Sequence, residues 1–112
     1  MFKVVKRDGE VAAFDIGKIT NAIEKAFKAT EKQFNTDIIE LLGLRVTADF
    51  QNKIKDSLID VESVQDSVET VLEQSGYSDV AKAYILYRKQ REKIRNMKST
   101  ILDYKDIVNS YV

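Results

Sequence analysis

The sequence predicts an α+β fold, with an N-terminal β-hairpin, a short third strand and four helices. Three observations carry this expectation. Short apolar runs at Val4-Val5 and Val11 flank Asp8-Gly9, a dipeptide suited to a tight hairpin turn because both residues accept positive φ. Four later stretches repeat apolar residues at helical spacing. The 112 residues include no Pro, which fits helices joined by short connections. This length supports one hydrophobic core, and hence one domain.

The hairpin is expected from about Phe2 to Phe14. A two-residue type I′ loop would set Arg7 opposite Glu10, Lys6 opposite Val11, Val5 opposite Ala12 and Val4 opposite Ala13. Phe2, Val4, Lys6, Val11 and Ala13 would then share one face, with Val5, Arg7, Ala12 and Phe14 on the other. Lys6 and Arg7 start on opposite faces in this register. Only strand twist and their long side chains could bring both to one ligand.

Asp15 reads as an N-cap, followed by Ile16, Ile19, Ile23, Ala26, Phe27 and Thr30 at helical spacing. The first turn carries Gly17 and Lys18, where acids are the usual choice. A small residue and a cation beside unpaired backbone N–H groups would suit a phosphate; a solvated Lys and a tolerated Gly account for the same residues. Asn35-Thr36-Asp37 opens a second helix, with Ile39, Leu42, Val46, Phe50 and Ile54 as its buried stripe and Gly43 a soft point inside it. Leu58-Ile59 is a candidate third strand. Asp60 caps a third helix with Val61, Val64, Val68, Val71 and Leu72 on one face, and Gly76 is a left-handed C-cap. The fourth helix starts at Ser78 or Asp79, and Val80, Ala83, Tyr84 and Tyr87 face inward. The Tyr84 stripe continues into Arg88, Arg91 and Arg95.

Charge is balanced, with 18 basic and 18 acidic residues, so the bulk value does not select a partner. The distribution is uneven. Asp56 to Asp79 holds seven acids and no Lys or Arg, while Val80 to Lys98 holds seven basic residues and Glu92 alone. Neighbouring segments of opposite sign can pair with each other. The chain has no Cys and no His, which removes disulfides, thiol nucleophiles and the commonest acid–base residue. Asp66 and Glu69 fall on the polar face of the third helix and are expected to be solvated. No phosphate loop, nucleophile–base pair or metal pair is present, so the reading is of a binding domain without catalytic residues. No apolar run approaches the ~20 residues of a membrane span, and the N-terminus has no signal-peptide core; the expectation is a cytoplasmic protein.

Basic residues from three places remain: Lys6 and Arg7 on the hairpin, Lys18 at the start of the first helix, and Arg88 and Arg91 on the fourth. Together with N-terminal helix amides they could form a polyphosphate site.

These residues also sit in a recognisable pattern. Val4-x-Lys6-Arg7-Asp8-Gly9, then Phe14-Asp15 with Lys18-Ile19, then Val61-Glu62-Ser63-Val64-Gln65-Asp66-x-Val68-Glu69, then Val80-Ala81-Lys82-Ala83-Tyr84-x-x-Tyr87-Arg88-x-x-Arg91 resemble the ATP-cone domain. The resemblance runs from about Phe2 to Arg95. It implies a small three-stranded sheet over a four-helix bundle, with ATP or dATP bound between hairpin and helices as an allosteric effector. It implies that Lys6, Arg7, Lys18, Arg88 and Arg91 face phosphates. Val4, Asp15 and Ile19 would lie at the nucleoside end, with Asp15 a hydrogen-bonding partner for base or ribose. Ala12 stands where some members place an acid at the base, and Val61 and Gln65 hold nucleotide-site positions where some place Thr and His near the phosphates. Mg²⁺ is expected with the triphosphate.

Arg91-Glu92-Lys93-Ile94-Arg95-Asn96, Leu102-Asp103-Tyr104-Lys105-Asp106 and Ser110-Tyr111 resemble the exit from the cone of an anaerobic, glycyl-radical ribonucleoside-triphosphate reductase. The expectation is therefore an N-terminal regulatory domain over residues 1–98. Residues 99–112 would be a linker, or the opening of a missing catalytic domain. Partners would be the nucleotide, that catalytic domain and, through the cone, a second copy; no membrane is expected. A DNA-associated module using the basic fourth helix and a helical protein-interaction module are the alternatives.

Overall fold

A computed structural model describes residues 1–110, with the side chains of residues 1–94. The elements in order are β1 (Lys3–Val5), β2 (Val11–Ala13), α1 (Ile16–Ala29), α2 (Thr36–Asp49), a 3₁₀ turn (Gln51–Lys53), β3 (Leu58–Asp60), α3 (Val61–Gln74) and α4 (Ser78–Ser110). The sheet order is β2-β1-β3, antiparallel between β1 and β2 and parallel between β1 and β3. It covers one side of a four-helix core, the α+β arrangement expected.

The hairpin register differs from the two-residue expectation. Val4 pairs with Ala12 and Val5 with Val11. Lys6 and Glu10 close a three-residue loop, with the Lys6 N–H donating to Glu10 at 2.7 Å and the Gly9 N–H to the Lys6 carbonyl at 2.9 Å. Only Gly9 takes positive φ, at 89°. Asp8 instead accepts the Glu10 N–H at 2.9 Å, which favours a turn ending on a left-handed glycine. One residue of slip exchanges the faces of β2. Phe2, Val4, Lys6, Ala12 and Phe14 therefore face the helices, and Val11 is exposed. The Phe2 and Phe14 rings meet at 4.8 Å, and both lie 5.6 Å from Phe50 of the core.

The type I′ geometry expected at the hairpin occurs elsewhere. Asp56 and Ser57 have φ of 54° and 62°, and Lys55 and Leu58 exchange backbone hydrogen bonds of 2.9 Å on either side of them. This reversal delivers β3 to β1, and the Ser57 carbonyl accepts the Lys3 N–H at 2.9 Å.

The first two helices begin as their caps predict: Asp15 accepts the Gly17 N–H at 2.9 Å and Asn35 the Ile38 N–H at 2.8 Å. Asp60 precedes α3 but makes no side-chain cap bond to its backbone; its carboxylate accepts the Ser63 hydroxyl at 2.7 Å instead. Gly76, at φ 87°, ends α3 in a Schellman motif, with Tyr77 donating to Leu72 and Gly76 to Glu73. Two expectations for α2 need correction. It stops at Asp49, so Ile54 joins the core from beyond the 3₁₀ turn. Gly43 is a contact point: a Cβ there would lie 2.8 Å from the Thr20 methyl, so α1 and α2 meet backbone to side chain. The core comprises Ile19, Ile23, Phe27, Leu42, Val46, Phe50, Ile59, Val68, Leu72, Val80 and Tyr84, with their neighbours. The α4 backbone is helical to Ser110, into the stretch expected to be a linker; the side chains from Arg95 onward, and residues 111–112 altogether, lie outside the described residues.

Candidate functional site

A cleft of about 340 Å³ opens between the inner face of the hairpin and helices α1, α3 and α4. That size is within the usual range for small-ligand sites, roughly 300–1,000 Å³. Nine of the ten residues singled out in the sequence line it: Val4, Lys6, Asp15, Lys18, Ile19, Val61, Gln65, Arg88 and Arg91. Arg7 is the tenth. It lies at the rim, where its Nη2 donates to the Gln65 Oε1 at 3.3 Å.

The corrected register explains how both hairpin cations reach one side. Lys6 shares the inward face with Val4 and Ala12. Arg7 belongs to the loop, so strand alternation does not apply to it, and its side chain folds back onto α3. Lys18 enters from the first turn of α1. The Gly17 amide beside it is already taken by the Asp15 carboxylate, so this turn has one fewer open donor than the sequence suggested. Gly17 permits the cap, since a Cβ there would lie 3.0 Å from the Asp15 Oδ1.

The inner wall is apolar. Val4, Ile19, Ala22, Val64 and Val68 form it, with Tyr84 and Tyr87 from α4. Sequence reasoning placed both tyrosines in the core. The signal that they border a site was available in the spacing, because Arg88 and Arg91 continue the same face. Tyr84 is buried, and burial pushes its phenol well above the ordinary value; it stays neutral.

The acidic and basic segments pair across the cleft mouth. Arg88 Nη1 binds Asp66 at 3.2 Å and also Glu69. Burial works against its charge, and the hydrogen bonds it donates to Glu69 and Asp66 outweigh that effect, so its pKa is raised. The expectation that Asp66 and Glu69 are merely solvated is therefore wrong: they tie α3 to α4. Arg7 contacts Glu62 at 4.0 Å and Glu92 at 3.5 Å. Lys18 and Arg91 make no ion pair among the described residues.

Comparison with known proteins gives the family. The profile described as "ATP cone domain" matches residues 2–93, most of the chain. The chain belongs to the ATP-cone family. Over 99 residues this cone is 41% identical to the ribonucleoside-diphosphate reductase subunit alpha of Chlamydia pneumoniae, covering 82% of this chain and 9% of that protein. It is 44% identical to a vitamin B12-dependent ribonucleoside-diphosphate reductase of Thermoplasma acidophilum, covering 86% of this chain and 13% of the relative. It is 36% identical to an anaerobic ribonucleoside-triphosphate reductase of Haemophilus influenzae, over 89% of this chain and 14% of the relative. The chain thus spans a small fraction of the length of these proteins. Similarity over the cone does not separate the anaerobic relative from the other reductases. No helix among the described residues is long and apolar enough to cross a membrane.

Proposed function

We propose that this ATP cone is an allosteric domain that binds ATP or dATP in the cleft between hairpin and helices and regulates a ribonucleotide reductase. One observation carries the reading: cations from three separate elements, Lys6, Lys18 and Arg91, converge on a cleft with an apolar inner wall. The cationic end suits a triphosphate and the wall of Val4, Ile19 and Val68 suits a purine. Asp15 would serve base or ribose from the rim. ATP and dATP differ by one hydroxyl, so discrimination would lie near the ribose. Differential affinity for two arrangements of the domain would then shift the reductase between activity states.

Among the described residues no group of three carboxylates could cage a metal ion. Mg²⁺ would accompany the triphosphate, bound largely through its phosphates. Residues 1–98 form the regulatory unit in this reading, and residues 99–112 lead toward the catalytic chain. The finer assignment to an anaerobic reductase rests on the residues from Arg91 to Tyr111 that resemble that enzyme's exit from the cone. Arg88 of α4 is taken up by Asp66 and Glu69 of α3, which leaves that guanidinium less open to DNA than the sequence suggested.

A melting experiment with and without ATP and dATP tests the reading, since a ligand specific to the folded state must raise Tm. Lys18→Ala should weaken ATP binding by about 1–3 kcal/mol, the scale of a charge-assisted hydrogen bond. No shift in Tm with either nucleotide at millimolar concentration would reject the proposal.

A further inference from the structure

The carboxylates at the cleft mouth are shared unevenly among its cations. Arg88 is held by Asp66 and by Glu69, whose side chain is only 25% exposed. Arg7 is held differently. A hairpin-tip side chain would ordinarily extend into water, yet the Arg7 side chain is only 25% exposed because it lies against α3 and α4. Its Nε is 4.0 Å from Glu62, its Nη1 3.5 Å from Glu92 and its Nη2 3.3 Å from Gln65. These contacts are long, and Glu62 and Glu92 remain 59% and 54% exposed. Ion pairs of this kind are individually weak. A phosphate offers the same guanidinium a shorter, bidentate, charge-assisted contact.

We infer that Arg7 is an exchangeable latch: Glu62 and Glu92 hold it in the nucleotide-free protein, and a phosphate of the bound nucleotide takes it from them. The inference rests on the nucleotide reading of the cleft and adds how occupancy is transmitted. Losing the Glu92 contact unties the hairpin tip from α4, and losing the Glu62 contact unties it from the first turn of α3. The empty and occupied cleft then differ in which elements are joined, which is the differential interaction a switch needs. The change falls on α4, the helix that continues to Ser110. The two carboxylates also set the affinity, because binding must displace them. Arg88, held more deeply by Asp66 and Glu69, does not exchange.

The test is a calorimetric titration of the whole chain with ATP, using wild type, E62Q/E92Q, R7A and the triple variant. E62Q/E92Q should bind ATP roughly fivefold more tightly, since each exposed pair is worth a small factor. In the R7A background the same two substitutions should change affinity by less than about twofold, because the coupling runs through Arg7. An equal gain in both backgrounds would mean simple relief of charge repulsion and overturns the latch. Amide exchange of the nucleotide-free protein gives an independent readout. Lys6, Gly9 and Glu10 should exchange faster in E62Q/E92Q and in R7A, to the same degree, and unchanged exchange also overturns the latch. If the wild type binds no ATP, the proposed function fails, and the contact between tip and helices is decided by exchange alone.

Discussion

Replacing Gly43 by Ala tests the approach of α1 to α2. Inside a helix this change ordinarily stabilises by about 1 kcal/mol, because Ala loses less backbone entropy. Here the new Cβ would lie 2.8 Å from the Thr20 Cγ2 and 3.7 Å from the Ile16 side chain. Thr20 cannot easily turn away. It is β-branched, and its hydroxyl donates to the Gly17 carbonyl at 3.1 Å. Overpacking of this kind costs about 1–3 kcal/mol, and loss of the hydrogen bond would add about 1 kcal/mol. Gly43→Ala should therefore destabilise by a net ~1–3 kcal/mol, lowering Tm by about 4–8 °C per kcal/mol in a domain of this size. Urea and thermal unfolding followed by circular dichroism measure it. Thr20→Ser removes the obstructing methyl and keeps the hydroxyl, so in that background Gly43→Ala should turn stabilising. A higher Tm for Gly43→Ala in the wild-type background would refute the reasoning.

Phe50→Ala removes the ring that joins Phe2 and Phe14 to the core, and should cost about 3–5 kcal/mol; exchange at the hairpin amides should rise with it, and a loss under 1 kcal/mol would count against the packing. Ser57→Gly relieves a left-handed residue in the turn before β3, and should stabilise by about 0.5–1 kcal/mol after the extra freedom of the unfolded chain is counted; chemical denaturation showing a loss would contradict it. The Ser63 hydroxyl holds the Asp60 carboxyl below its ordinary value of 3.8. That group contributes stability above the unfolded pKa, and the contribution is lost as pH falls through the folded value. Ser63→Ala should therefore flatten the acid limb of a stability profile between about pH 5 and pH 2; an unchanged limb would show that the hydrogen bond is immaterial.

Much of this fold was legible because its signals are local. Asn35, Asp15 and Gly76 act within one turn of their own positions, and the stripes of α1 and α3 depend only on spacing. The hairpin register was not legible. Asp8-Gly9 fits both a two-residue loop and a three-residue loop ending on Gly9, and the choice is made by Phe2 and Phe14 meeting Phe50, a contact some 40 residues away in sequence. The Asp56-Ser57 reversal was missed because it contains no Gly. At the candidate site, residue types and spacing pointed to the cations, of which Lys6, Lys18, Arg88 and Arg91 line the cleft, while Val4, Asp15, Ile19, Val61 and Gln65 came from the family resemblance. The carboxylate partners of Arg7 and Arg88 could not be read, since ion pairing between α3 and α4 depends on how the two helices face each other.

The middle strand of the sheet has a consequence for synthesis. β1 leaves the ribosome well before β3, one of its two neighbours, with Val4 beside Ile59. A lone two-stranded ribbon is marginal in water, so the hairpin must wait for more than forty further residues before the open edge of β1 is covered. The cleft wall contributed by Arg88 and Arg91 comes later still. A nascent chain therefore acquires any ability to sense nucleotide only near the end of translating this segment, and a ligand cannot nucleate its first steps.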